Sequence, residues 1–299
     1  MCRSAARPGR ATGGGALTAS RVLFSTGALY LHPLRVAFEV ARAAGCDGIE
    51  LDVGLETMRH GARPALRLVE ETGLPVRAVH PPLFRIPGWR HHRTVVPRVV
   101  ELGVALGAST VVFHPPKVRR PDDPEADDFV SVLTEARRRL EGTGITVALE
   151  NPPVFRPEDH EYPFWDLPVL VELAERCGVP IALDTAHAGG SRYPLMQAYA
   201  LTHGRLAHIH LSDLRPPPRW LDRPWLHSYV KHHQLVGEGE LPLGQLFAAL
   251  SRDGFKGDVT LELSPVSLGI WSLSTARRRL AEAVQSTRNL LAGRVGAGP

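Results

Sequence analysis

Cysteine is scarce: Cys2, Cys46 and Cys177 are three in number and widely spaced, which excludes a disulfide framework and reads as free thiols in a reducing cytoplasm. Lysine is equally scarce, with only Lys117, Lys231 and Lys256. The formal charge of +4 and the pI near 9.2 are therefore carried by arginine. No basic stretch interleaved with aromatics marks a nucleic-acid groove, the segment from Arg215 to His233 excepted. No apolar run reaches the roughly 20 residues needed to cross a bilayer. Residues Met1 to Ser20 are rich in Arg, Ala and Gly but lack the apolar core of a secretory signal, so a disordered leader over 1–20 is expected, followed by one soluble domain over 21–295. A glycine-rich phosphate turn is also missing, because Thr26-Gly27-Ala28 after the first strand is no G-x-G-x-x-G.

What is present is a repeated ending. Six short apolar runs each finish on a residue able to bind a metal: Val79-His80, Phe113-His114, Leu149-Glu150, Leu183-Asp184, Ile209-His210 and Leu261-Glu262. Their β-branched and aliphatic composition suits strands buried on both faces, and a helical pattern follows each. Eight such strand-then-helix units run from Arg21–Ser25, through Gly48–Leu51 and its followers, to Val259–Leu263 and the helix Ser274–Leu291. Strict alternation predicts a parallel sheet, and eight repeats in 299 residues predict a single α/β domain, a (β/α)8 TIM barrel. Its metal site belongs at the C-terminal rim of the strands, where ligands from several strands converge.

Glu150, Asp184, His210 and Glu262 come from four strands and form a cage of three carboxylates and one imidazole, suited to Mn, Mg, Co or Zn. Without a cation such carboxylates could not all ionise. His80, His114, His187 and His233 lie at the same rim, and a second metal would take His80, His114 and one oxygen of Glu150. Trp220 and Trp225 on the proline-rich loop from Arg215 to Tyr229 are candidates for stacking on a substrate, or for packing over the barrel or against another subunit. Glu50 is expected at the rim after the second strand, as a substrate contact or a salt-bridge partner.

The phrases Val147-Ala148-Leu149-Glu150-Asn151, Leu183-Asp184-Thr185-Ala186-His187-Ala188, His208-Ile209-His210-Leu211-Ser212-Asp213, His233 through Gly237-Glu238-Gly239, and Leu261-Glu262 together resemble the xylose-isomerase-like TIM-barrel superfamily. That superfamily includes sugar-phosphate isomerases and epimerases and the endonuclease IV-type AP endonucleases of family 2. The resemblance implies two readings. In the isomerases and epimerases, the Glu, Asp, His, Glu set holds one metal, and the glutamates matching Glu150 and Glu262 move protons between adjacent carbons of a sugar. In the endonuclease IV branch, histidines matching His80, His114, His187 and His233 complete a trinuclear zinc site that hydrolyses a phosphodiester. This chain has those histidines but carries Lys231 where that branch places a third-metal Asp, and an ammonium group cannot ligate. Lys231 is therefore expected either to meet an anionic substrate or to be a plain loop residue.

The expected function is accordingly that of a metal-dependent enzyme hydrolysing a phosphoester of a small phosphorylated sugar or nucleotide through two or three zinc ions, with nucleic acid not favoured as substrate. The alternatives are an isomerase or epimerase with one Mn, Co or Mg, and a non-catalytic metal- or ligand-binding barrel.

Overall fold

A computed structural model describes residues 20–84 and 86–294. The leader expected over 1–20 thus lies, apart from Ser20, outside the described residues. Eight strands, β1 (Val22–Ser25), β2 (Gly48–Asp52), β3 (Val76–His80), β4 (Thr110–Phe113), β5 (Thr146–Glu150), β6 (Ile181–Asp184), β7 (Leu206–Leu211) and β8 (Asp258–Leu261), close into a barrel in sequence order. Every neighbouring pair is parallel, including β1 with β8. The expected (β/α)8 barrel is therefore the architecture found.

The returning helices are α1 (Leu34–Ala44), α3 (Arg63–Thr72), α4 (His92–Leu106), α5 (Pro124–Arg139), α6 (Leu167–Cys177), α8 (Leu195–Thr202), α10 (Leu243–Arg252) and α12 (Leu273–Leu291). Short helices α2 (Leu55–His60), α7 (Thr185–Gly189), α9 (His227–Val230) and α11 (Pro265–Leu268) punctuate the rim loops. Helical spacing makes the outer layer: α1 buries Ala37, Phe38, Ala41 and Ala44 on one stripe and stops at Gly45 in the left-handed conformation. α12 buries Ala276, Leu280, Ala283, Val284, Thr287 and Leu291. No helix among the described residues is long and apolar enough to cross a membrane.

Strand alternation positions the site. Ile49 and Leu51, Val79, Val111 and Phe113, Val147 and Leu149, Leu183, Ile209 and Leu211, and Val259 and Leu261 face outward into one continuous core beneath the helices. The intervening residues belong to the other face, inside the barrel, where Val112, Ala148 and Ala182 make a small separate cluster. On that same face, one step toward the rim, come His114, Glu150 and Asp184. Glu50 does not sit at the rim. It occupies the middle of β2 and is 1% exposed, hydrogen-bonded inside the barrel to His208, His210 and Thr260. The strand in fact runs one residue past its expected end, to Asp52.

Candidate metal centre

Glu150 ends β5 at the centre of the rim, and its two oxygens face different imidazoles. Oε2 lies 3.4 Å from His80 Nε2 and 3.2 Å from His114 Nε2, while Oε1 lies 3.1 Å from His210 Nδ1. On its far side His210 Nδ1 is 2.9 Å from Glu262 Oε2. Asp184, at the end of β6, divides its oxygens as well. Oδ1 accepts the His187 N–H at 2.6 Å and so caps α7, which begins on the next residue. Oδ2 is left facing the His233 side, 4.0 Å from its Nδ1.

These side chains form three sets whose donor atoms fall within 4.8 Å of one another: Glu150, Asp184, His210 and Glu262; His80, His114 and Glu150; and Asp184, His187 and His233. All eight residues expected to bind metal are brought together, with Glu150 and Asp184 each shared between two sets. Both Glu150 oxygens, Asp184 Oδ2, His210 Nδ1 and His114 Nε2 are buried without a hydrogen-bond partner. Buried polar atoms are almost always paired, so five orphans spread over these linked sets fit the binding of divalent cations. The donor chemistry agrees, since imidazole and carboxylate suit zinc and its neighbours.

The electrostatics of the cluster set facing imidazoles and carboxylates against the cost of burial. Burial works against the charged form of His80, His187 and His210, yet facing carboxylates win: Asp52 and Glu150 hold His80 well above the usual range, and Glu50, Glu150 and Glu262 do the same for His210. His187 rises to about 9 through Asp184 and Glu150. Burial pushes Glu262 upward, but His210 and His233 bring it down to about 2. Burial keeps Asp184 above its ordinary value.

Local sequence explains how the candidate ligands Asp184, His187 and His233 are held. Asn151 joins β5 to β6, its Oδ1 accepting the Asp184 N–H at 2.7 Å and its Nδ2 donating to Asp184 O at 3.1 Å. Its own carbonyl accepts from His187 Nδ1 at 3.0 Å. After β7, Asp213 gathers the backbone N–H groups of Leu214, Gly237, Gly239 and Leu241 at 2.8 to 3.1 Å. That hub folds the Gly237-Glu238-Gly239 segment beneath the rim, and a Cβ on Gly239 would meet Asp213 Oδ1 at 2.3 Å. His233 has φ of 55°, a strained value for a non-glycine residue, and its carbonyl accepts from Ser264 N–H and Ser267 Oγ at 2.8 Å each.

Sequence reasoning missed four residues here. Asp52 faces His80 Nδ1 at 3.4 Å, and Asn151 ties the strands. His208 lies wholly inside the barrel beneath His210. His232 is fully buried against Phe155, with both ring nitrogens unpartnered, and burial together with neighbouring cations holds it down to about 2. Inward strand parity, read two residues back from His210 and two on from Glu50, is the signal that finds His208 and Asp52.

The substrate candidates are placed unevenly. Lys231, half-buried, closes α9 two residues before His233, so the third donor set has no carboxylate beyond Asp184. Trp220 and Trp225 are 75% and 68% exposed, so neither packs over the barrel as one reading expected.

A family model described as a xylose isomerase-like TIM barrel matches residues 38–290. The chain belongs to that family. Divalent metals are common among its members, which include epimerases, isomerases and AP endonucleases. An uncharacterized protein of Mycobacterium tuberculosis is 27% identical over 297 residues, covering 91% of this chain and 98% of its own. Among solved structures, a D-tagatose 3-epimerase-like protein is 18% identical with a TM-score of 0.66, covering 91% of this chain and 97% of its own. The D-allulose 3-epimerase of a Methylomonas species is 15% identical with a TM-score of 0.64, over 89% and 96%. An AP endonuclease, family 2, from Brucella melitensis is 20% identical with a TM-score of 0.63, over 84% and 96%. These structural likenesses are likenesses of fold.

Proposed function

We propose that this family member is a metal-dependent hydrolase of phosphoesters, acting on a small phosphorylated sugar or nucleotide at a zinc site of two or three ions. The observation that carries this reading is the division of Glu150 between His80 and His114 on Oε2 and His210 and His187 on Oε1, because His80 and His114 form a donor set that single-metal chemistry does not need. Bound there, the cations supply Lewis-acid stabilisation of the charge that develops on a phosphoryl group. The chain's residues do the rest. Glu150 and Asp184 fix the spacing of the donor sets, and Glu262, its side chain 20% exposed, presents a carboxylate to the open rim beside the reacting group. Lys231 places a positive charge at the third set for an anionic substrate. Trp220 and Trp225 offer exposed faces for a sugar ring or base. Buried, unbridged Cys46 and Cys177 are consistent with a cytoplasmic setting.

One observation favours a second reading. Glu150, Asp184, His210 and Glu262 form a complete four-residue cage without the other histidines, and in that arrangement Glu150 and Glu262 flank one position as acid and base for a sugar epimerisation. One of the structural neighbours, the D-allulose 3-epimerase of a Methylomonas species, was solved in complex with D-allulose.

Zinc-loaded protein assayed on bis(p-nitrophenyl) phosphate, sugar phosphates, nucleotides and abasic-site DNA separates the two readings. Hydrolysis abolished by Glu150→Gln and reduced on the order of a hundredfold or more by His114→Ala is the expected result. Epimerisation of ketohexoses at full rate in His114→Ala, with no hydrolysis by the wild type, would overturn the hydrolase.

A further inference from the structure

β1 and β2 neither contain nor lead directly into a member of the three donor sets, yet the inward face of β2 carries two carboxylates, Glu50 and Asp52, two residues apart. We propose that β2 is the strand that aims the metal-binding histidines, Glu50 setting His210 and Asp52 setting His80. This rests on the metal-centre reading above, and it assigns both residues a positioning role behind the histidines.

For Glu50 the geometry is direct. Its carboxylate lies 3.0 to 3.1 Å from His210 Nε2, on the ring edge opposite the orphaned Nδ1 that faces Glu150 and Glu262. The carboxylate accepts only, so Nε2 keeps its proton and it is the Nδ1 proton that leaves, turning that lone pair to the centre when a cation binds. Glu50 also accepts from Thr260 Oγ at 3.0 Å and faces His208 Nε2 at 3.2 Å, which pins it against rotation. No other carboxylate lies in this lower layer among the described residues' hydrogen bonds to His210, so the tautomer depends on Glu50.

Asp52 places a second carboxylate one layer up, beside His80. Its Oδ2 accepts from Ser25 Oγ at 2.6 Å and from Gly27 N–H at 2.7 Å, fixing the carboxylate at the end of β1. Its Oδ1 then stands 3.4 Å from His80 Nδ1, which donates at 2.9 Å to the Pro81 carbonyl. His80 Nε2 is left facing Glu150. A negative charge behind an imidazole ligand raises its basicity and fixes its ring, and loss of such a partner lowers metal affinity by about 10–100-fold.

The two carboxylates serve different donor sets, so their effects separate. Metal-free wild type, Glu50→Gln, Asp52→Asn and His114→Ala are titrated with Zn(II) and Co(II) against a chromophoric chelator, with the Tm of each metal-free protein as a control for folding. Loss of one binding class in His114→Ala marks the His80 set. Expected are a 10–100-fold weaker cage class with altered Co(II) visible absorption in Glu50→Gln, and weakening confined to the His80 class in Asp52→Asn. Glu50→Asp, which keeps the charge, recovers most of the affinity and covers the case of a Gln variant that fails to fold. Wild-type affinity in both variants, or equal weakening of both classes by either one, overturns the inference while the metal reading stands. A wild type that binds neither ion fails the reading itself, and the inference with it.

Discussion

Glu150 is the residue on which the proposed centre turns, since among the described residues it is the only carboxylate whose two oxygens are both buried without a hydrogen-bond partner and both faced by imidazole. Glu150→Gln keeps the shape and removes the charge, so at least two metal equivalents are expected to be lost together, measured by elemental analysis after gel filtration. Loss of one alone would separate the two donor sets. The histidines set the pH dependence. His80, His187 and His210 are raised, so in the metal-free protein each holds a proton that must leave before a cation can bind. Metal affinity is therefore expected to climb with pH up to about 9, the value to which Asp184 and Glu150 lift His187, with protons released on binding. For the metal-free fold the sign is opposite. The raised His187 contributes stability that is fully present below its unfolded value of 6.5 and is lost as pH rises through about 9. The lowered Glu262 contributes stability present above 4.5 and lost as pH falls through about 2. Chelated protein melted across this range should be steadiest between those limits, and a flat Tm profile would contradict the assignment.

The rim segments act as elements. Asp213 satisfies four backbone N–H groups, including those of Gly237 and Gly239, and the same segment carries His233 in its strained conformation. Asp213→Ala is expected to cost about 2–4 kcal/mol by denaturant unfolding, since it leaves buried donors unpaired. It should loosen metal at the Asp184, His187 and His233 set while sparing the Glu150 sets. Gly239→Ala should behave similarly, because its Cβ collides with Asp213 Oδ1 and the Leu214 carbonyl. How far these elements were legible depended on where their information lies. Candidate ligands such as Glu150 and Asp184 close apolar runs and can be read from one strand at a time. Glu50 and His208 sit mid-strand, and their pairing across β2 and β7 exists only once the barrel closes, since 158 residues separate them in sequence. α7 and α9 were invisible because helices of five and four residues carry no periodicity. The exposed Trp220 and Trp225 show the converse, apolar residues whose placement on a loop no pattern foretells.

At the scale of the whole molecule, the outer core of helices against strands is what holds eight donors from separate chain segments in one place. Phe38 and Leu170, fully buried between the barrel and α1 or α6, should each cost about 3–5 kcal/mol on truncation to alanine, read from urea unfolding of the metal-free protein. Cation binding favours the folded barrel by mass action, so chelation should lower the Tm of the wild type and recover on re-addition of zinc. The central claim is that the rim is a shared centre of several cations rather than a single cage. Metal content per chain of protein purified without added metal tests it most directly. Two or three equivalents of zinc, falling by one in His114→Ala, is the result expected from the divided Glu150. One equivalent in the wild type, unchanged in His114→Ala, would contradict it and leave Glu150, Asp184, His210 and Glu262 as the whole site.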